Sequence, residues 1–60
     1  MYPSLTDLAI EAAGRKAEAL ARENFEAGKP YENPYSTGDV IHYTYESTWN
    51  RLVRKAAEAQ

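Results

Sequence analysis

The fold of this chain is decided by residues 28–36, which read Gly28-Lys29-Pro30-Tyr31-Glu32-Asn33-Pro34-Tyr35-Ser36. Proline has no amide hydrogen to donate, and it disfavours the α-helical conformation of the residue before it. Pro30 and Pro34 therefore bar one continuous helix, although helix-forming residues dominate the sequence on both sides. The stretch predicts a turn between two helices, and we expect these helices to pack as an antiparallel hairpin of the all-α class.

Helix 1 is predicted over residues 5–27, because Ala, Glu, Leu, Arg and Lys make up most of this interval. Ser4, which follows Tyr2-Pro3, is the expected N-cap, and Gly28 readily takes the left-handed conformation in which many helices end. The apolar residues at helical spacing form a broad, alanine-rich face: Leu5, Ala9, Ala12, Ala13, Ala17, Leu20, Ala21 and Ala27. Because alanine is small, another helix can approach this face closely.

Helix 2 is predicted over residues 37–59, with a cap in Ser36-Thr37-Gly38-Asp39. Bulky residues recur along it at steps of three and four: Ile41, Tyr45, Trp49, Leu52, Val53 and Ala56. Packed on the alanines of helix 1, they would form a large-into-small core with Trp49 at its centre. The β-branched and aromatic residues from Val40 to Tyr45 leave a short strand open as an alternative for that stretch.

The composition predicts one globular domain over residues 1–60, since the net charge is −2 and 43% of the residues are hydrophobic. A helix pair of this size buries little apolar surface, and without cysteine it has no disulfide to stabilise it. We therefore expect a homodimer in which two hairpins complete a four-helix arrangement. Asp7 and Glu11 interrupt the first apolar stretch, so we expect neither a secretory signal nor a membrane span, and we predict a cytoplasmic protein.

The residue types that carry chemistry predict no catalytic, cofactor or metal site. His42 is the sole histidine, and a metal ion would ordinarily need a second histidine or a cysteine beside it. Asp39 and Glu46 flank His42 at helical spacing, and we interpret the three as a solvated edge of helix 2. No glycine-rich phosphate loop is present, since Gly28 and Gly38 stand singly. We therefore expect no enzymatic activity.

A tyrosine-rich, acidic group near the turn predicts a surface that binds another protein. Tyrosine gives rigid contact area and is enriched among the residues that anchor interfaces. The expected partner-binding residues are Tyr31, Glu32, Tyr35, Asp39 and Tyr43. Other carboxylates gather at the same end of the predicted hairpin: Glu23, Glu26 and Glu46. Packing of Tyr31 and Tyr35 back onto the helix ends, which would close the hairpin, is the alternative role for these two rings.

Three short motifs carry a family resemblance: Phe25-Glu26-Ala27-Gly28, Asn33-Pro34-Tyr35 and, in helix 2, Trp49. In these motifs the chain resembles the small ribosome modulation factor-like proteins of bacteria and phages, which have two helices joined by a Pro-Tyr turn. The resemblance covers roughly residues 9–56. It implies a protein that contacts ribosomal RNA, here through a basic cluster at the end of helix 2: Arg51, Arg54 and Lys55. The chain departs from the family in its acidic net charge and in Leu52, where a glycine often follows the tryptophan.

The sequence thus predicts a small non-catalytic regulator or inhibitor that binds a protein, of the kind that phages and mobile elements encode. A ribosome- or RNA-associated protein that uses the basic cluster is the alternative, and a designed or purely structural mini-protein is a third interpretation. Salt separates the first two, because an RNA complex weakens steeply as ionic strength rises and a hydrophobic protein interface does not.

Overall fold

The chain folds into two helices, α1 (Leu5–Glu26) and α2 (Val40–Glu58). A computed structural model describes residues 5–59, and these residues contain no β-strand. The predicted all-α class with two helices is therefore confirmed, and the stretch from Val40 to Tyr45 is helical. The expected cap at Tyr2-Pro3-Ser4 lies outside the described residues.

The end of α1 agrees with its prediction to within one residue. Gly28 has a φ of +75°, the left-handed conformation that glycine adopts without a steric cost. The amide of Lys29 donates to the carbonyl of Asn24 at 3.1 Å, and the amide of Gly28 donates to that of Phe25 at 3.1 Å. These two bonds form a Schellman motif, which satisfies carbonyls that a helix end would otherwise leave unpaired.

The start of α2 differs from its prediction, because the helix begins at Val40 and not at Thr37. The amide of Asp39 donates to the carbonyl of Ser36 at 2.9 Å and closes a turn over residues 36–39. Asp39 is the N-cap in an extended conformation, but its side chain makes no capping hydrogen bond. The residues that we expected in the first helical turn therefore reverse the chain before α2 starts.

The two helices run in the same direction, so the predicted antiparallel hairpin is wrong. Near the end of α1, the ring of Phe25 meets Trp49 with centroids 5.5 Å apart. The first half of α1 meets the start of α2 in a cleft lined by Thr6, Ala9, Ile10, Ala13, Asp39, Val40 and Ile41. The contacts thus advance along both helices in the same direction, from the start of α1 against the start of α2 to the end of α1 against the middle of α2.

The connecting segment, residues 27–39, makes this parallel arrangement possible. An extended chain spans up to about 3.3 Å per residue, whereas a helix rises only about 1.5 Å, so the segment can travel back along α1. Tyr31 contacts Trp49, and Tyr35 contacts Tyr45 one turn earlier in α2, which shows that the segment runs antiparallel to α2. It therefore forms a third strip that covers one side of the groove between the helices.

The core is small and lies between the middle turns of the two helices. Its buried residues are Ala17, Ala21, Tyr45 and Trp49, with Leu20, Phe25, Tyr35 and Ile41 partly buried around them. The large-into-small packing predicted for α2 on α1 is therefore present, although Leu52 is only half-buried and half of the residues of the alanine-rich face are exposed. Tyr45 is fully buried, and its hydroxyl accepts a hydrogen bond from Asn24 Nδ2 at 3.1 Å, which satisfies the polar atom inside the core.

We expect spin labels at positions 11 and 39 to lie closer together than labels at positions 26 and 39. With parallel helices, Glu11 and Asp39 lie near the end where α2 starts, whereas Glu26 lies at the far end of α1. An antiparallel hairpin would reverse the order of the two distances. All three positions are exposed and the chain contains no cysteine, so pulsed electron resonance on Glu11→Cys/Asp39→Cys and Glu26→Cys/Asp39→Cys can compare them. Dilution with unlabelled protein removes distances between molecules.

Candidate interaction surface

Asn33 fastens the middle of the connecting segment to α2. Its Nδ2 donates to the carbonyl of His42 at 2.8 Å and approaches the hydroxyl of Tyr31 at 3.3 Å. Its Oδ1 accepts the amide of Tyr35 at 3.0 Å, a local turn that asparagine forms readily. One side chain therefore sets both the shape of the segment and its position on the helix.

Side chains alternate along the segment, as they do in any extended chain. Tyr31, Asn33 and Tyr35 face α2. The residues between them line a cleft on the side of α1, together with Leu20, Asn24 and Lys29: Pro30, Glu32 and Pro34. The tyrosines of the Pro-Tyr-Glu-Asn-Pro-Tyr stretch thus lie on one side of the segment, and its prolines and carboxylate lie on the other.

Both tyrosines of the segment pack on the core. The ring centroid of Tyr31 lies 5.5 Å from that of Trp49 and 6.2 Å from that of Tyr45. Tyr35 meets Tyr45 at 6.0 Å in an edge-on contact. Such aromatic pairs stabilise by about 0.5–1.5 kcal/mol beyond the area that they bury. Tyr31 and Tyr35 therefore close the fold, and Tyr31 still exposes 47% of its surface.

His42 is not the solvated helix edge that we predicted, because its side chain is only 13% exposed. Its Nδ1 lies 2.9 Å from the carbonyl of Tyr35. A carbonyl can only accept, so Nδ1 carries the hydrogen and Nε2 is left facing the carboxylate of Glu46 at 3.5 Å. The imidazole thus links the connecting segment to α2.

A shallow cleft opens beside these contacts, between the connecting segment and the second half of α2. It is lined by Tyr31, Glu46, Trp49, Asn50 and Val53, and we call it the aromatic cleft. Trp49 supplies a buried floor, Tyr31 and Val53 supply exposed apolar walls, and Glu46 supplies a negative charge. This combination suits a chain segment that carries an apolar side chain next to a basic one.

The predicted partner-binding residues do not form one surface. Tyr31 lines the aromatic cleft, and Glu32 lies exposed on the opposite side of the connecting segment. Tyr35 is half-buried, and Asp39 lies at the start of α2. Tyr43 is 57% exposed and lines a different cleft, which residues of α2 form with Glu18 of α1.

The predicted concentration of carboxylates at the turn end is also wrong. Because the helices are parallel, Glu23 and Glu26 lie at the far end of α1, whereas Asp39 lies near Thr6 and Ala13. Arg51, Arg54 and Lys55 are exposed in the last turns of α2. Asp39 therefore stands at the start of α2, and the three basic residues stand towards its end, before Glu58.

Sequence reasoning missed three residues of the aromatic cleft, Glu46, Asn50 and Val53, as parts of a single surface. Glu46 and Asn50 are four residues apart, as are Trp49 and Val53, so all four lie along adjacent stripes of one helix face. The sequence alone therefore shows that these residues share a helix face. It does not show that they line a cleft, because that depends on the connecting segment lying beside them.

Comparison of this chain with protein families, curated proteins and solved structures finds no match. The resemblance to ribosome modulation factor-like proteins therefore stays a prediction. Within residues 5–59, no group of three or more histidines and carboxylates is placed to hold a metal ion. No helix in the described part of the chain is long and apolar enough to cross a membrane.

Proposed function

We propose that this protein is a small, non-catalytic regulator that binds a segment of another protein in the aromatic cleft. The observation that carries the proposal is the state of Tyr31, whose ring packs on Trp49 at 5.5 Å while 47% of its surface stays exposed. A ring already held in place loses little conformational freedom when a partner covers it, and rigid aromatic anchors of this kind dominate interface energies.

The charge beside Tyr31 defines the chemistry of the partner. Glu46 lines the cleft, and its Oε2 lies 3.5 Å from Nε2 of His42. A carboxylate next to an aromatic wall favours a basic side chain of the partner, while Val53 and the ring of Tyr31 accept an apolar neighbour. We therefore propose a partner segment that carries an apolar residue beside a lysine or arginine.

We also propose that the regulator works as a homodimer with four helices, because within residues 5–59 one copy buries only four apolar residues. A cytoplasmic site of action and an origin in a phage or mobile element belong to the same proposal. Binding of ribosomal RNA through Arg51, Arg54 and Lys55 is its alternative.

We expect Val53→Lys to abolish capture of the protein partner. The new ammonium group would stand in the aromatic cleft, where it would repel a basic segment and cover the apolar wall. Val53 is exposed, and lysine is a good helix former, so α2 should stay folded. Ala19→Lys is the matched control, because it adds the same charge on an exposed position of α1.

The measurement is affinity capture from bacterial lysate, with and without nuclease treatment, by the wild type and both variants. A protein retained by the wild type and by Ala19→Lys, and reduced at least tenfold by Val53→Lys, supports the proposal. Equal capture by Val53→Lys contradicts it. Capture that disappears with nuclease, and that is lost when Arg51, Arg54 and Lys55 are neutralised, establishes the RNA-binding alternative instead.

A further inference from the structure

We propose that the homodimer forms when the outer side of α2 packs against the same surface of a second copy, with a two-fold axis beside Ser47. The inference rests on the homodimer in the proposed function and adds its interface and register. We call the surface the α2 outer face and define it by four exposed residues of α2: Val40, Tyr43, Ser47 and Arg51. They line a shallow cleft together with Thr44, the buried Thr48 and, from α1, Glu18.

The α2 outer face carries apolar surface that its own chain does not cover. Val40 is 72% exposed and Tyr43 is 57% exposed, although both belong to residue types that interfaces bury. The connecting segment cannot cover them, because it contacts α2 through His42, Tyr45 and Trp49 on another side of the helix. Val40 and Ser47 are separated by seven residues, the spacing of one stripe along a pair of packed helices.

The charges along α2 match a second copy in the antiparallel direction. Asp39 stands at the start of the helix, while Arg54 and Lys55 stand in its last turns. A two-fold axis beside Ser47 brings each Asp39 to the level of Arg54 in the other copy, because the two positions lie at nearly equal distances from residue 47. A parallel pair would instead place Arg54 next to Arg54. Charge complementarity therefore selects a second copy and fixes its direction.

The same register pairs the exposed apolar residues with long basic side chains. Tyr43 and Arg51 lie four positions on either side of Ser47, so each tyrosine ring meets the guanidinium of Arg51 from the other copy. Val40 comes to the level of Arg54, whose aliphatic stem can cover it. The small side chain of Ser47 at the axis lets the helices approach closely. In this interface, Arg51 and Arg54 of the basic cluster contact the second copy and not a nucleic acid.

Ser47→Cys tests the register directly, because the chain contains no other cysteine. Helices that cross at residue 47 bring its two Cα atoms within the range of about 4.4–6.8 Å that a disulfide requires. We expect mild oxidation to convert Ser47→Cys into a species of twice the 6.8 kDa chain mass. The matched control is Ala19→Cys, at an exposed position of α1, which should stay monomeric in a denaturing gel.

A charge exchange gives a second readout that needs no new covalent bond. Asp39→Arg and Arg54→Glu should each weaken the dimer at least tenfold in sedimentation equilibrium, and the double variant should recover most of that loss. Within one chain, Asp39 at the N-cap of α2 and Arg54 lie 15 residues apart, roughly 22 Å at 1.5 Å per residue, so recovery must come from contacts between copies. Circular dichroism monitors folding of each variant.

The outcomes separate this inference from the proposals on which it rests. A monomeric mass at about a hundred micromolar, with no disulfide in Ser47→Cys, overturns both the homodimer and its interface. A dimeric mass without a disulfide, and without recovery in the double variant, retains the homodimer and overturns the interface. Partner capture in the aromatic cleft is measured independently with Val53→Lys, which lies outside the α2 outer face.

Discussion

Trp49→Ala is expected to lower the free energy of unfolding by about 3–5 kcal/mol, enough to unfold most of the population of a domain this small. The indole is the point where three parts of the chain meet. Its centroid lies 5.5 Å from Phe25 of α1, 5.5 Å from Tyr31 of the connecting segment and 6.3 Å from Tyr45 of α2. Alanine would leave a cavity between these three parts of the chain, and none of them could fill it without moving away from its other contacts.

Urea unfolding followed by far-ultraviolet circular dichroism measures this loss. Trp49→Phe is the matched control, because it keeps an aromatic ring between Phe25 and Tyr31 and should lose much less stability. If Trp49→Ala retains the wild-type midpoint but no longer captures the partner, the indole is an interface residue and the core lies elsewhere.

The sequence predicted the helices and their contact faces because the relevant signals are local. The alanines at positions 17 and 21 and the large rings at positions 45 and 49 recur at helical spacing, and these four residues form the buried core. Gly28 was readable for the same reason, since a helix end needs a residue that tolerates a positive φ. Each of these features depends on residues within one or two turns.

The direction of packing could not be read in the same way. A stripe of small residues packs against a stripe of large ones in either direction, so Ala17 and Ala21 can be buried equally well by a parallel or an antiparallel helix. The informative feature was the length of the connection, because antiparallel helices usually need only about two to eight linking residues. Residues 27–39 exceed that range, and the excess is what carries the chain back to the start of α2.

Of the candidate site, the sequence predicted the role of one aromatic residue but not the course of the segment that carries it. Tyr31 was singled out as an interface aromatic, and it does line the aromatic cleft. The alternation of Tyr31, Asn33 and Tyr35 was present in the sequence, but two prolines made the stretch read as a turn rather than as an extended strip. The prediction for His42 was wrong for a different reason. Its partner is the backbone carbonyl of Tyr35, and every residue has such a carbonyl, so the sequence does not indicate which one the imidazole meets.

Asn33→Asp is expected to cost about 2–3 kcal/mol, although it replaces one side chain by another of almost the same shape. The amide Nδ2 donates to the carbonyl of His42 at 2.8 Å, and a carboxylate has no hydrogen to donate there. The substitution would therefore leave that carbonyl facing a second acceptor, and an acceptor without its partner costs more than the net value of a hydrogen bond. The bond from the amide of Tyr35 to Oδ1 would survive.

Because only the donor changes, this variant separates hydrogen bonding from packing. Asn50→Asp is the control, since it makes the same chemical change at an exposed position of α2 and should shift stability by no more than about 0.5 kcal/mol. We expect Asn33→Asp also to increase the exposure of Tyr31, which would appear as altered tyrosine-to-tryptophan energy transfer before global unfolding. Equal midpoints for the two variants would mean that the connecting segment is held by its aromatic rings alone. Asn33 would then shape the segment without fastening it to α2.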